Sequence, residues 1–126
     1  MKTKIETAKA PAAIGPYSQG TAGQNLVFVS GQLPIDPVTG LMAEGIEKQT
    51  ERSLENLKAV LESAGSGMDK VYKTTVFLSD MNNFAAMNKV YEAFFGGSVF
   101  PARSAVEVAR LPKDALVEIE AIAWRG

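Results

Sequence analysis

The chain has 126 residues, 46% of them hydrophobic and 21% charged, enough for one soluble globular domain and too few for two ordinary ones. Thirteen Lys and Arg against 14 Asp and Glu leave a net charge of −1, which provides no cationic footprint for nucleic acid. With no Cys and no His, disulfides, thiolate nucleophiles, Cys- or His-ligated metals and imidazole acid–base chemistry are excluded, so proton transfer falls to Asp, Glu, Lys, Tyr or a bound water.

Residues 1–9 alternate polar and apolar without the apolar core of a signal peptide. The longest aliphatic or aromatic run, Leu26, Val27, Phe28 and Val29, is far short of the roughly 20 residues of a membrane span. The expected setting is therefore the cytoplasm, with no membrane or nucleic-acid partner. No repeat, linker or low-complexity tract divides the chain, and residues 1–126 read as one domain.

The run 26–30 predicts a strand, followed by a Pro- and Gly-rich turn at 34–40. Ile46, Thr50, Leu54, Leu57, Leu61 and Ala64 are spaced by threes and fours and predict a helix over 46–64, with Gly65 as its stop. The β-branched and aromatic stretch 71–78 predicts a central strand. Phe84, Met87, Tyr91, Phe94 and Phe95 form a second helical stripe over 81–95, with Asp80 as N-cap and Gly96 and Gly97 beyond its end. Stretches 103–110 and 116–124 predict two further strands, joined by residues 111–115 as a hairpin. That order is an α+β fold: a mostly antiparallel sheet with both helices on one face. Because Val76, Phe77 and Leu78 are apolar on both parities, the second face needs a cover, and a homo-oligomer is expected.

The last strand is the most unusual. Its odd positions are apolar throughout, whereas its even positions mix Leu116, Ile122 and Trp124 with Glu118 and Glu120. Residues two apart share a strand face, so these carboxylates have apolar neighbours. Either both are ordinary surface acids, or one is half-buried with a raised pKa suited to acid–base work. Arg103 opens the preceding strand and carries a planar fork of donors suited to a carboxylate. Hairpin pairing would bring it near the carboxylate-bearing strand; the alternative is a surface ion pair of little consequence. Tyr17 follows a Gly-Pro turn, Ser30 and Gly31 end a strand where backbone N–H groups can meet an anion, and Asn88 lies between the apolar positions of the second helix. Phosphate-loop and dinucleotide fingerprints, DxD and EF-hand spacings are absent, so neither nucleotide nor metal is implied.

Taken together, these strings resemble the reactive intermediate deaminase (RidA/YjgF) family, in its RidA branch, from Pro11 to about Trp124. The strongest block is Phe100-Pro101-Ala102-Arg103-Ser104 running through Val106-Glu107-Val108-Ala109-Arg110-Leu111-Pro112-Lys113-Asp114 to Val117-Glu118-Ile119-Glu120-Ala121. Ala13-Ile14-Gly15-Pro16-Tyr17-Ser18-Gln19, Val29-Ser30-Gly31-Gln32-Leu33-Pro34 and Lys73-Thr74-Thr75-Val76-Phe77-Leu78 support it.

The resemblance implies a chorismate-mutase-like α+β fold assembled as a homotrimer, sheets facing inward, with active sites in clefts between subunits. It implies cofactor-independent hydrolysis of 2-imino or enamine acids, such as 2-iminobutanoate and 2-iminopropanoate, to 2-oxo acids and ammonia. Pyridoxal-phosphate-dependent dehydratases release these imines and are damaged by their enamine tautomers. By the same resemblance Arg103 holds the substrate carboxylate and Glu118 positions or activates water. Tyr17, Ser30, Gly31 and Asn88 line the pocket, and the backbone of Ala105 completes the carboxylate cradle. The chain departs from many relatives at Ala105, where they carry Cys, so thiol-dependent behaviour is not expected; the loop 96–99 also looks shorter. The alternative is a non-catalytic 2-oxo-acid-binding regulatory or chaperone-like protein using the same cleft, but Arg103 together with Glu118 favours turnover. A ribonuclease or translation-inhibitor role, also attached to the family, fits poorly with the near-neutral charge and the absence of His.

Overall fold

The computed structural model describes residues 1–126. The first helical period becomes α1 (Ile46–Ser63), whose buried side includes Thr50, Leu54, Leu57, Val60 and Leu61. Gly65, at φ 80°, ends it. Its N–H donates to the Glu62 carbonyl at 3.1 Å and the Ser66 N–H to the Leu61 carbonyl at 2.9 Å, a Schellman cap. The second period becomes α2 (Phe84–Phe95), which buries Met87, Tyr91 and Phe95. It starts three residues later than its apolar stripe suggests, because Met81–Asn83 forms a 3₁₀ turn. Asp80 caps that turn by accepting from the Asn82 N–H at 2.9 Å.

Six strands form one sheet: β1 (Thr3–Ile5), β2 (Gly20–Gly23), β3 (Leu26–Gln32), β4 (Val71–Leu78), β5 (Ala102–Glu107) and β6 (Val117–Trp124). Their spatial order is β1-β2-β3-β6-β4-β5, and every neighbouring pair is antiparallel except β4–β5. This corrects the sequence expectation in two places. The N-terminal meander gains β1 and β2, and the last two strands do not form a hairpin. A helix separates β4 from β5, and a strand–helix–strand crossover makes its strands parallel neighbours, which places β5 at the sheet edge. The last strand, β6, then inserts between β3 and β4. The connecting stretch therefore crosses the end of β4, anchored by buried Leu111 and Ala115, with Lys113 and Asp114 both at φ 57°.

Alternation along the strands separates two faces. Val27 and Val29 of β3, Val76 and Leu78 of β4, and Val117 and Ile119 of β6 share one core cluster with Leu54, Leu57 and Leu61 of α1 and Met87 of α2. Both helices thus lie on one side. The opposite side leaves Phe28, Val106, Ile122 and Trp124 exposed, the uncovered apolar face that the strand pattern implies. No helix is long and apolar enough to cross a membrane.

Polar groups buried under α1 hold the loops that border the sheet. Gln49 donates to the Ala43 carbonyl at 3.0 Å and accepts from the Leu116 N–H at 2.8 Å, tying α1 to the entry of β6. The Asn56 amide donates to the carbonyls of Leu33 at 3.0 Å and Ile35 at 2.9 Å, fixing the chain just after β3. Asn56 is fully buried, so Asn56→Leu strands both carbonyls without removing bulk. The expected loss is about 2 kcal/mol in urea unfolding, and a midpoint unchanged from wild type would refute it.

Candidate active site

Arg103 lies near the start of β5, directly across from Thr74 of β4. Thr74 is buried and shares a 2.6 Å hydrogen bond with the Tyr91 hydroxyl of α2. Arg103 therefore projects to the helix side of the sheet. Its Nη1 donates to Asn88 Oδ1 at 2.6 Å, and its guanidinium carbon sits 4.8 Å from the Tyr91 ring centroid and 5.4 Å from that of Phe84. The ion pairs of the chain are Lys4–Glu6, Arg52–Glu55 and Arg110–Asp114; Arg103 belongs to none. Half-buried and in no ion pair, it borders an open cavity of about 550 Å³ lined also by Asn88, Tyr91, Phe100, Pro101 and the carboxylate-bearing Glu92. A guanidinium with most donors unspent is a receptor for a planar anion.

Ala105 faces the core beside Val76, so only its backbone is available to a ligand. The Val108 N–H donates inward to the Leu78 carbonyl. Because successive strand residues alternate the direction of their backbone groups, the N–H of Ala105 points to the free edge of β5, on the same edge as Arg103.

Glu118 belongs to the other side. It pairs with Phe77 of β4, and its chain neighbours Val117 and Ile119 both enter the core, so its own carboxyl leaves through the face opposite the helices. Gly31 makes room for it: a Cβ there would stand 2.8 Å from the Glu118 carboxyl carbon and from one of its oxygens. The approach occurs where the β3–β6 register shifts between Val29 and Gln32. Burial raises the Glu118 pKa above the ordinary carboxylate value, and the neighbouring charge of Glu120 raises it further.

The loop that leads into β2 is held by Gln19. Its side chain is buried, accepts from the Thr7 N–H at 2.7 Å, and donates to the carbonyls of Thr7, Ala10 and Pro11 at 2.8 to 3.2 Å. Ser30 ties the same loop to β3, donating its hydroxyl proton to the Ser18 carbonyl at 2.6 Å. Ser30 is thus a brace whose hydroxyl proton is already committed. Tyr17 remains half-exposed beside Gly31 in a cavity of about 220 Å³ between this loop and the 33–40 turn.

The structure sets Gly31 against Glu118, places Tyr17 in the cavity that Gly31 also lines and ties the adjacent Ser30 to the Ser18 carbonyl; separately it groups Asn88, Arg103 and the Ala105 backbone. It does not join the two groups within one chain. Thr74 and Phe77, the β4 partners of Arg103 and Glu118, are about 10 Å apart along the strand, and the two side chains leave through opposite faces. Tyr91, Phe84 and Gln19 complete these half-sites without having been singled out for them by sequence. The stripe spacing marks Tyr91 and Phe84 as core, and no local pattern distinguishes a buried Gln from a surface one.

Residues 7–125 match the Endoribonuclease L-PSP family. Over 99% of both chains, the protein is 55% identical to the 2-iminobutanoate/2-iminopropanoate deaminase of Salmonella typhimurium. Among solved structures it is similar to the YjgF gene product of Escherichia coli, at 52% identity and a TM-score of 0.96 over 98% of this chain and 99% of that one. Escherichia coli TdcF with bound serine, 48% identical over the same shares, also superposes with a TM-score of 0.96.

The environment of Glu118 has a measurable consequence for stability. A carboxyl whose pKa is raised in the folded state favours folding below its unfolded-state pKa, and that contribution is lost as pH rises through the folded value. At neutral pH the ionised Glu118 therefore destabilises the fold, and Glu118→Gln removes the penalty. Thermal unfolding should show the Gln variant more stable than wild type at pH 7, with the gap closing below the ordinary carboxylate range. A gap that widens on acidification would reverse the assignment.

Proposed function

The chain belongs to the Endoribonuclease L-PSP (RidA/YjgF) family, and on that premise we propose that it hydrolyses reactive 2-imino acids and their enamine tautomers to 2-oxo acids and ammonia. The observation that carries this reading is the half-buried Arg103 without a carboxylate partner, in a chain 55% identical to a deaminase of 2-iminobutanoate and 2-iminopropanoate. The relative with bound serine supports a ligand shaped as an α-amino or α-imino acid.

In this scheme Arg103 and the Ala105 N–H hold the substrate carboxylate, while Asn88 orients the guanidinium through its 2.6 Å hydrogen bond. Glu118 accepts a proton from water as the water oxygen bonds to C2, and the C=N π electrons move to nitrogen. The carboxyl returns that proton to the nitrogen; the new C2 hydroxyl then gives up its own proton, relayed through Glu118 to the amine, as the C=O bond forms and the C–N bond breaks, so ammonia leaves and the 2-oxo acid remains. Burial favours this exchange, since it brings the Glu118 pKa closer to neutral pH, where giving and taking a proton are balanced. The Tyr17 hydroxyl hydrogen-bonds the imine nitrogen or the departing amine. Imines leaking from pyridoxal-phosphate-dependent dehydratases are the proposed supply.

The separation of the half-sites supports an assembly in which they meet across copies. A homotrimer with its apolar sheet faces turned inward would cover Phe28, Ile122 and Trp124 and bring Glu118 of one copy toward Arg103 of the next.

Coupled to a threonine dehydratase in a buffer that slows spontaneous imine hydrolysis, the wild type should accelerate 2-oxobutanoate release. Arg103→Ala should lower kcat/KM about 100-fold, the scale of a lost charge-assisted carboxylate grip. No acceleration by the wild type, combined with retained 2-oxobutanoate binding, would replace catalysis with a ligand-sensor role. Co-expression of Arg103→Ala with Glu118→Gln tests the shared site. Random assembly leaves about a quarter of the inter-copy sites with both residues, so activity should recover to that level, whereas sites contained in one chain would recover none.

A further inference from the structure

An arginine that must bind an anion faces two opposed requirements. Its guanidinium has to be held in one orientation, yet the usual means of holding it, a neighbouring carboxylate, would neutralise it and occupy its donors. In this chain the holding groups are the Asn88 amide oxygen, at 2.6 Å, and aromatic rings. Tyr91 lies under Arg103 with 4.8 Å between guanidinium carbon and ring centroid, and Phe84 stands at 5.4 Å. The Tyr91 ring is itself fixed on two sides. Its hydroxyl shares the buried 2.6 Å bond with Thr74 of β4, and its face meets Phe95 one turn along α2, with ring centroids 4.6 Å apart. Only 4% of Tyr91 is exposed. A ring face attracts a cation through its quadrupole and offers no lone pair in the plane of the guanidinium. The N–H donors not used by Asn88 therefore stay free for the ligand.

We propose that Tyr91 is a positioning residue of the carboxylate-binding step, its ring serving, beside the Asn88 amide, as the platform that orients Arg103 without pairing its guanidinium. The proposal rests on the deaminase reading, and its role lies in binding: the platform acts equally on substrate and transition state. Loss of such a platform raises KM and leaves kcat nearly unchanged.

The test uses the full-length protein and two readouts: imine turnover, and calorimetric binding of 2-oxobutanoate, which needs no catalysis. Tyr91→Leu should raise both KM and the 2-oxobutanoate Kd about fivefold, the scale of a partly desolvated cation–π contact, with kcat within about twofold. Tyr91→Phe, which keeps the ring, should restore affinity. In Arg103→Ala, methylguanidinium at non-denaturing concentration should settle on the vacated ring and partly rescue 2-oxobutanoate binding; the Arg103→Ala, Tyr91→Leu double variant should not be rescued. That dependence separates a platform from a merely structural side chain. Should Tyr91→Leu fail to fold, Phe84→Leu, which removes the less buried ring, carries the same KM and Kd test. Unchanged Kd in Tyr91→Leu, a fall in kcat alone, or equal rescue of the single and double variants overturns the proposal. A wild type that binds 2-oxobutanoate without hydrolysing imines defeats the deaminase reading and leaves the platform to be judged by the Kd arm. A wild type that does not bind 2-oxobutanoate overturns both.

Discussion

Side chains on a strand alternate between the two faces of its sheet, and in this protein that alternation sorts the reactive groups. Arg103 sits in register with Thr74, an inward position of β4, and must join the helices. Glu118 sits in register with Phe77, an outward position, and must leave them. No rotamer change carries a side chain through a sheet. The arginine and the glutamate on which the proposed hydrolysis depends are therefore kept apart in the folded chain. The exposed apolar side that carries Glu118 is also the surface most in need of a partner.

Each half-site is built so that its key group stays under-satisfied. Arg103 rests on aromatic faces and a single amide oxygen instead of a carboxylate. Glu118 lies against a glycine backbone and beside a second carboxylate instead of a cation. Both arrangements leave the group without an ion-pair partner and so available to a ligand. The amides around them are, by contrast, hydrogen-bonded. Gln19, Gln49 and Asn56 place their amides on loop carbonyls and N–H groups, and Thr74 and Tyr91 close on each other. Rigid, hydrogen-bonded walls hold two poorly compensated charges.

The legibility of the sequence followed the range of the interactions involved. Both helices could be read because a helix declares its buried face within one turn: Leu54, Leu57 and Leu61 needed no distant partner to be recognised. β4 and β6 were readable from their β-branched alternation. β2 was not, since Thr21 is its only strand-favouring residue among Gly20, Ala22 and Gly23, and it is held by pairing with β3 on one side and β1 on the other. The hairpin expected between the last two strands failed for a related reason. A five-residue Pro- and Asp-containing link suits a tight turn locally, but the preceding strand–helix–strand unit had already placed β5 on the far side of β4.

What the sequence alone determined was the inventory: no imidazole, no thiol, one arginine at a strand start, two carboxylates on an apolar strand, and the strings that tie them to a deaminase family. Those are local facts of chemistry and order, and they survive whatever the chain does next. Only the tertiary structure decided that Arg103 and Glu118 lie on opposite faces, that Ser30 is a brace, and that Tyr91 supports a guanidinium as well as a core. Each of those depends on which strand pairs with which, and pairing is settled by long-range hydrogen bonds and packing that no window of sequence contains.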